Sequence, residues 1–541
     1  MLGAIIGDIV GSRFEFNNHR SKEFDLFTSD CFVTDDSIMT LAVAKAIMEA
    51  EKRLPVEKRS YEYTDDRNEM LEELSVKYMQ EIGRKYPNCG YGGMFSRWVF
   101  SDEPKPYNSY GNGAAMRVSP AGFAAQSEPQ AMLFAQMVTG VTHNHEEGMK
   151  GATTVAIAIF MARRGALKNE IYEIINNYYS LDFWIDDIRD TYKFNETCQE
   201  TVPQAIKAFL ESNSFEDAIR TAISIGGDSD TIAAITGSIA EAYYGVPKEI
   251  KEKALTYLDD ELRAIYDEWV SFYLEVDEKF KTLTKYIGKI ASAESYGEWV
   301  IDRQNDGSPE HPIQMPFVGY SQLVRSFEDE FYHFHEGHPH YKLADYGGIL
   351  EKHDIPWGWG SSEMHDADVS NFDEQVVLAL IMGAIRSERF CDGALLGFFQ
   401  DGCMLKWLQR LKDIDWQGTH PYNKIAEVIL IIGGFHYGHK QYRFQVSDTG
   451  ALISESERYY GVLTEKNLTP DEVDKMQKRL HDLHCEYWNY DYHNPYVLDG
   501  TQWNLSICYA GYQPITYESS NAYPSNWNEL LSIFDIEPDD N

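Results

Sequence analysis

The chain has 541 residues, of which 43% are hydrophobic and 13% aromatic, and it carries a formal net charge of −38 at pH 7. This length predicts two to four globular domains at roughly 100–200 residues each, and the hydrophobic content is sufficient to fill their cores. The negative charge disfavours nucleic acid and anionic membranes as partners, because both are bound by basic surfaces.

The first predicted element is an apolar, glycine-containing segment that ends before a single carboxylate, Glu15. The spacing of Gly3, Gly7 and Gly11 is not that of the Gly-x-Gly-x-x-Gly motif, so this segment does not predict a dinucleotide-binding fold. We expect Asp8 to accept structural hydrogen bonds, and Glu15 to act as a metal ligand or as a catalytic acid or base.

An acidic cluster, Thr34-Asp35-Asp36, comes next and leads directly into the small apolar residues Ile38–Met48. A threonine before such a run is a helix N-cap signal, and carboxylates in the first turn suit the positive end of the helix dipole. The pattern therefore predicts that a helix begins at this cluster. The similar triplet Thr64-Asp65-Asp66 lacks the apolar continuation and is interpreted as a solvated loop or helix start.

Two glycine-rich loops follow, Cys89–Phe95 and Ser109–Arg117. The backbone N–H groups of the second loop could hold a phosphate, and the Tyr110 ring could stack on a substrate or hydrogen-bond to it. A histidine pair, His143 and His145, follows the second loop.

A second acidic cluster, Asp228-Ser229-Asp230-Thr231, follows Gly226-Gly227 and precedes an apolar stretch with helical spacing, Ile232–Gly245. The two glycines permit a tight turn into the helix start. The two acidic clusters together offer carboxylates and threonine hydroxyls, which are the hard oxygen ligands that Mg²⁺ and Mn²⁺ prefer. We predict that the two helix starts share one metal site.

Taken in this order, the motifs resemble those of the ADP-ribosylglycohydrolase family over roughly the first half of the chain. The resemblance implies an all-α fold with two Mg²⁺ or Mn²⁺ ions that cleaves the glycosidic bond of ADP-ribose. It implies metal ligands at Thr34, Asp35, Asp36, Asp228, Asp230 and Thr231. It implies substrate contacts at Gly92, Ser109, Tyr110, Gly111, Asn112, Gly113 and His143.

The expected reaction passes through an oxocarbenium-like state, which requires a positioned water and a nearby carboxylate. The candidates for the catalytic carboxylate are Glu15, Asp35, Asp36 and Asp228, and the sequence leaves the choice open. We predict a hydrolase that releases ADP-ribose from a modified protein side chain. Arginine is the favoured linkage because an acidic surface suits a guanidinium, and serine is possible. The alternative is a non-catalytic protein that binds ADP-ribose or an ADP-ribosylated target, such as an immunity protein.

The predicted fold is mainly α and has three domains. We expect the ADP-ribosylhydrolase-like catalytic domain over residues 1–285, a helical accessory domain over 286–415, and a small α+β domain over 416–541. The accessory domain resembles uncharacterised bacterial domains, and neither C-terminal domain has an assigned chemistry.

Periodicity supports the division of the C-terminal half. Apolar residues at helical spacing occur in Tyr320–Phe334 and Phe372–Arg386, whereas Tyr442–Val446 and Trp503–Tyr509 alternate as strands do. The histidine-rich stretch His333–His340 contains a glycine and a proline and is interpreted as a solvated loop.

The expected location is the cytoplasm. The start of the chain lacks the basic region of a signal peptide, and the apolar run Val428–Ile432 is far shorter than the ~20 residues that span a bilayer. Seven cysteines without a Cys-x-x-Cys pair favour reduced thiols. The expected partner is an ADP-ribosylated protein or small-molecule substrate; the net charge disfavours nucleic acid, and no membrane is expected.

Overall fold

The structure, a computed structural model, describes residues 1–53, 65–273, 278–302, 308, 313–356, 362–419, 425–434, 438–447, 450–457, 461–489, 491–493, 501–509 and 514–537. The chain divides into two compact units, an N-terminal unit from Met1 to Glu275 and a C-terminal unit from Val276 to Asn541. Within the described ranges, no helix has both the length and the apolar composition needed to span a membrane. Thr64, from the triplet interpreted above as a solvated loop or helix start, lies outside these ranges.

The described part of the N-terminal unit is built from α-helices, which confirms the mainly helical prediction for this half. Their bounds are α1 Leu2–Gly11, α2 Asp35–Lys52, α3 Asp65–Gly83, α4 Gly93–Val99, α5 Gly113–Met116, α6 Ser119–Ala124, α7 Glu128–Gly140, α8 Glu146–Arg163, α9 Lys168–Ile175, α10 Ile185–Ile188, α11 Cys198–Leu210, α12 Phe215–Ile223, α13 Ser229–Tyr244, α14 Lys248–Ala254 and α15 Asp260–Tyr273.

Both acidic clusters lie at helix starts, as predicted. Thr34 caps α2, and its hydroxyl accepts a hydrogen bond from the Asp36 backbone N–H at 3.2 Å. Asp228 occupies the N-cap position of α13. The turn before it uses Gly226 and Gly227 at φ +73° and +77°, a left-handed conformation that glycine adopts without steric cost.

Helices α1 and α13 pack with their backbones in contact. A Cβ at Gly7 would lie 2.0 Å from the Ala233 carbonyl oxygen, and one at Gly11 would lie 2.4 Å from the Asp230 Cα. Any side chain at these positions would force the helices apart. The glycines of the first motif therefore serve close packing, and they bring the end of α1 against the second acidic cluster.

The C-terminal unit combines helices and strands. Its helices are α16 Lys281–Thr284, α17 Tyr286–Ala291, α18 Gln322–Gly337, α19 Tyr346–Glu351, α20 Ser362–His365, α21 Glu374–Ser387, α22 Ala394–Gln400, α23 Cys403–Thr419, α24 Pro470–Asp482 and α25 Trp527–Ile533. Its strands are β1 Gly297–Val300, β2 Phe317–Tyr320, β3 Ile425–Gly434, β4 Gly438–Ser447, β5 Gly450–Glu457, β6 Gly461–Leu468, β7 Asp491–His493, β8 Gln502–Tyr509 and β9 Ile515–Ser520.

The larger sheet has the strand order β6-β5-β4-β3-β8-β9-β7, and all of its pairs are antiparallel except β7 with β9. Leu430 and Leu505 on its central strands share a hydrophobic core with Leu480 of α24 and Leu531 of α25. Helices packed on a sheet confirm the prediction of an α+β arrangement near the C-terminus. Strands β1 and β2 form a separate antiparallel pair that the sequence analysis did not predict.

The predicted helices of the C-terminal half appear as α18 and α21, and the predicted strands as β4 and β8. The interpretation of His333–His340 as a loop was wrong for its first part, since α18 continues to Gly337. The reason is that Val324, Phe327 and Phe331 carry one buried apolar face along the helix. The predicted boundaries after residues 285 and 415 stay predictions.

Candidate metal and substrate site

The two acidic helix starts and the loop after α1 meet in one place. Single carboxylate oxygens of Glu15, Asp228 and Asp230 all lie within 4.8 Å of one another. The Thr231 hydroxyl donates to the Asp36 carboxylate at 3.4 Å and so connects α13 to the start of α2. This cluster of hard oxygen donors could hold a divalent cation.

Asp8 organises the start of α2. It accepts hydrogen bonds from the backbone N–H groups of Thr34 and Ser37, each at 3.1 Å, and from both hydroxyls. Burial raises the pKa of Asp8 to about 6, although these donors oppose the shift. As expected, Asp8 is a structural acceptor, and it orients Thr34 and the residues that follow.

Asp36 and Asp230 are the most deeply perturbed carboxylates of the cluster. Burial, followed by the charges of neighbouring carboxylates, raises the pKa of each well above its ordinary value. Asp36 Oδ2 is buried and has no hydrogen-bond partner among the residues described. Because a buried carboxylate oxygen normally has a partner, the donor set and this atom fit a bound cation.

Asp35 and Glu15 lie at the more open side of the cluster. Burial and the charges of Asp8 and Asp228 raise the pKa of Asp35 to about 7. Burial and the charges of Asp228, Asp8 and Glu196 raise the pKa of the half-buried Glu15 to about 7 as well. Carboxylates that raise one another's pKa in this way indicate a site with too little positive charge nearby to balance them.

Asn18 connects the Glu15 loop to the turn before α13. Its side-chain amide donates to the carbonyls of Phe14, Glu15 and Gly227 and accepts from the Gly227 N–H at 2.8 Å. This double contact with Gly227 fixes Glu15 beside the second acidic cluster. The sequence analysis missed Asn18, because nothing local shows that a loop asparagine bonds to a turn more than two hundred residues away.

The Ser109–Arg117 loop is attached to the acidic cluster. The Asn112 side chain donates to Asp228 Oδ2 at 2.7 Å, and its backbone N–H donates to the Glu196 carbonyl at 2.8 Å. Gly111 and Thr197 form an antiparallel bridge. The candidate diphosphate loop is thus held between the acidic cluster and residues 196–198.

His143 lies behind this loop as a neutral imidazole. Burial and the nearby Arg117 guanidinium hold the pKa of His143 well below its ordinary value. His143 Nδ1 lies 2.8 Å from the Thr142 hydroxyl and 3.3 Å from Arg117 Nη2. A Cβ at Gly113 would lie 3.3 Å from Nε2, so this nitrogen faces the loop. The sequence analysis did not predict the part played by Arg117.

The other predicted substrate residues lie around the cluster. The Ser109 hydroxyl accepts from the Gly111 N–H at 3.1 Å, and the Tyr110 side chain is 48% exposed. Gly92 precedes α4, where a Cβ would meet no atom within 4 Å. Its loop reaches the acidic cluster through Cys89, whose carbonyl accepts from the Asp35 N–H at 3.1 Å. Among the described residues, neither Gly92 nor Tyr110 forms a hydrogen bond with these carboxylates.

Comparisons with known proteins agree with this geometry. The family model ADP-ribosylglycohydrolase matches residues 1–280, and a family of unknown function (DUF6508) matches residues 275–415. The chain is 25% identical over 344 residues to the ADP-ribosylhydrolase ARH3 of Homo sapiens, covering 49% of this chain and 90% of the relative.

Two bacterial relatives match the same half. The ADP-ribosylarginine hydrolase Tri1 of Pseudomonas putida is 26% identical over 279 residues, covering 47% of this chain and 72% of the relative. The ADP-ribosyl-[dinitrogen reductase] glycohydrolase of Rhodospirillum rubrum is 27% identical over 269 residues, covering 45% of this chain and 84% of the relative.

Proposed function

The chain belongs to the ADP-ribosylglycohydrolase family and is on that ground an ADP-ribosylhydrolase, and we propose that it uses two Mg²⁺ or Mn²⁺ ions. The proposed reaction is hydrolysis of the bond between ADP-ribose and a protein side chain, with release of ADP-ribose. The observation that carries the metal proposal is the convergence of Glu15, Asp228 and Asp230 beside Asp36, whose buried Oδ2 has no partner among the residues described.

The proposed metal ligands are Thr34, Asp35, Asp36, Asp228, Asp230 and Thr231. Bound ions would supply Lewis acidity and an activated water at this position. The chain itself contributes the rigid placement of the ligands. Asp8 fixes one helix start and Asn112 holds an oxygen of Asp228, so the donors are oriented before a cation arrives.

Glu15 is our first choice for the proton transfer, ahead of Asp35, Asp36 and Asp228. It is half-buried at the open side of the cluster, whereas Asp36 and Asp228 are buried. Asn18 holds the carbonyl of Glu15 and so fixes its loop. A carboxylate in this position can take a proton from an attacking water or give one to the leaving group.

The loop from Ser109 to Gly113 is the proposed binding site for the diphosphate and distal ribose, with Gly92 and His143 beside it. The exposed Tyr110 ring and the His143 imidazole are its candidate contacts, whereas the backbone N–H groups of Gly111 and Asn112 already donate within the protein. The hydrogen bond from Asn112 to Asp228 supports a binding site next to the cluster.

We propose arginine as the linkage, with serine as the second possibility. The net charge of −38 favours a peptide that carries guanidinium groups, and one relative is named an ADP-ribosylarginine hydrolase. The non-catalytic binder is the less favoured alternative, since binding alone would not need this many metal ligands. We assign no reaction to the helical accessory region or to the C-terminal α+β region.

The test is release of ADP-ribose from Arg-linked and Ser-linked mono-ADP-ribosylated peptides with Mg²⁺, with Mn²⁺ and with EDTA. We expect metal-dependent release that is lost in the double variant Asp228→Ala/Asp230→Ala. The matched control is Asp186→Ala/Asp187→Ala, which removes two exposed aspartates of α10 and should leave release unchanged. Undiminished release in EDTA would refute the metal proposal, and tight ADP-ribose binding without release from either peptide would favour the binder.

A further inference from the structure

A pair of exposed phenylalanines lies at the edge of the site. Phe16 is 85% exposed and Phe194 is 41% exposed. Their ring centroids are 6.0 Å apart with the planes inclined by 25°, so the rings stack on each other and not on the core. Single exposed apolar side chains are common on proteins, but a stacked and solvent-facing pair beside a polar site calls for a binding role.

Both rings are attached to the backbone segments that build the site. Phe16 follows Glu15 in the loop that Asn18 ties to Gly227. Phe194 precedes Glu196 by two residues, and the Glu196 carbonyl accepts from the Asn112 backbone N–H. The pair therefore keeps a fixed position relative to the carboxylates and to the candidate diphosphate loop.

A negative charge accompanies the rings. Glu196 is exposed, and its carboxylate is close enough to contribute to the raised pKa values of Glu15 and Asp228. Two aromatic faces and a carboxylate at an exposed edge suit a planar cation, which can stack on a ring and pair with the acid. The diphosphate of ADP-ribose is anionic and is repelled by Glu196, and its neutral adenine can stack on a ring or donate a hydrogen bond but brings no opposite charge.

We propose that Phe16, Phe194 and Glu196 form the leaving-group subsite and that it takes the guanidinium of an ADP-ribosylated arginine. This inference rests on the proposed function and extends it to the residues that choose the linkage. Stacking on the rings orients the guanidinium, and Glu196 supplies the opposite charge. A serine-linked substrate presents no cation at this subsite and gains neither interaction.

The test compares Phe16→Ala, Phe194→Ala and Glu196→Gln with the wild-type chain on both peptides. We expect kcat/KM for the Arg-linked peptide to fall about three- to fivefold, and any Ser-linked activity and the ADP-ribose Kd to change less than about twofold. Phe16→Tyr should retain the Arg-linked rate because it keeps the ring. Phe100→Ala, which removes a 48% exposed phenylalanine at the end of α4, is the matched control.

A second measurement does not depend on turnover. Saturation-transfer NMR should show arginine amide contacting the wild-type protein, with the signal reduced in Phe16→Ala and Glu196→Gln. An unchanged signal together with an unchanged Arg-linked rate would overturn the subsite. A loss of ADP-ribose affinity in the phenylalanine variants would place the adenine on these rings and would also overturn it. Failure of the wild type to release ADP-ribose while it still binds arginine amide would refute the proposed function alone.

Discussion

The buried carboxylates predict that the metal-free protein becomes less stable as the pH rises. Burial raises the pKa of Asp8 from 3.8 to about 6 and that of Asp35 from 3.8 to about 7. A carboxyl group with a raised folded-state pKa contributes stability that is present below its unfolded value and is lost as the pH rises through the folded value. The loss therefore falls between about pH 4 and about pH 7.

The size of this loss follows from the shifts. A shift of about two pKa units corresponds to ~3 kcal/mol, and one of about three units to ~4 kcal/mol. Since the groups act on one another, we take ~4 kcal/mol for the site as a whole rather than the sum. About two pH units of this range lie above pH 5, so ~3 kcal/mol is lost between about pH 5 and about pH 8. For a unit of this size the melting temperature changes by ~2–4 °C per kcal/mol, which gives a fall of ~6–12 °C between these two pH values. Bound Mn²⁺ favours the ionised carboxylates, so its stabilisation should grow over the same pH range.

Differential scanning calorimetry at about pH 5 and about pH 8, in EDTA and in saturating Mn²⁺, measures this effect. The variant Asp36→Asn removes a buried charge, so we expect it to melt higher than the wild type in EDTA at about pH 8 but lower in Mn²⁺. Asp102→Asn makes the same change on an exposed loop and should leave the melting temperature unchanged both in EDTA and in Mn²⁺. The reasoning is wrong if the wild type in EDTA is equally stable at both pH values, or if the Asp36→Asn crossover is absent.

Three further substitutions test other contacts of the structure. Asn18→Leu breaks the tie between the Glu15 loop and the turn before α13, so calorimetry should show a loss of about 1–3 kcal/mol and ADP-ribose release should fall at least about tenfold. Asn177→Leu, at an exposed asparagine, should keep full release, and equal rates for the two variants would contradict the proposed positioning. Gly227→Ala should lower the free energy of unfolding by clearly more than Gly245→Ala does. The two glycines have similar φ values, +77° and +75°, but only at Gly227 would a Cβ meet a tyrosine ring, at 2.4 Å. Equal unfolding midpoints in urea would contradict this. Asp415→Ala removes the acceptor of the Lys279 and Phe280 backbone N–H groups and should lower the stability of the C-terminal unit by about 1–3 kcal/mol. ADP-ribose release should not slow, and a slower release would show that the site depends on that unit.

The helix starts of the site were predictable because their signals are local. Thr34 and Asp228 each precede an apolar run, and capping preferences act over a few residues. The Gly226-Gly227 turn was predictable for the same reason, since positive φ favours glycine. The sequence pattern also predicted that the acidic residues would meet, because together they offer the hard oxygen ligands that a divalent cation prefers.

The remaining parts of the site depend on contacts between distant segments. Asn18 and Phe194 have no local signature, and their partners lie well over a hundred residues away in the chain. The neutral state of His143 depends on burial beside Arg117, which a linear motif does not show. His333 and His335 were misplaced because a glycine and a proline were given more weight than the buried apolar face of α18.

The backbone contact between α1 and α13 determines which parts of the N-terminal unit can change without moving the acidic cluster. Because glycines bring the two backbones into direct contact, neither helix can shift to accommodate a different substrate without displacing the acidic cluster. The three side chains of the proposed leaving-group subsite, Phe16, Phe194 and Glu196, lie outside both helices, on loops that hydrogen bonds of Asn18 and of the Glu196 carbonyl attach to the site. We therefore expect a change of acceptor preference to arise from substitutions at these three positions, and a designer who wants a new specificity on this scaffold should leave both helices and these hydrogen bonds untouched.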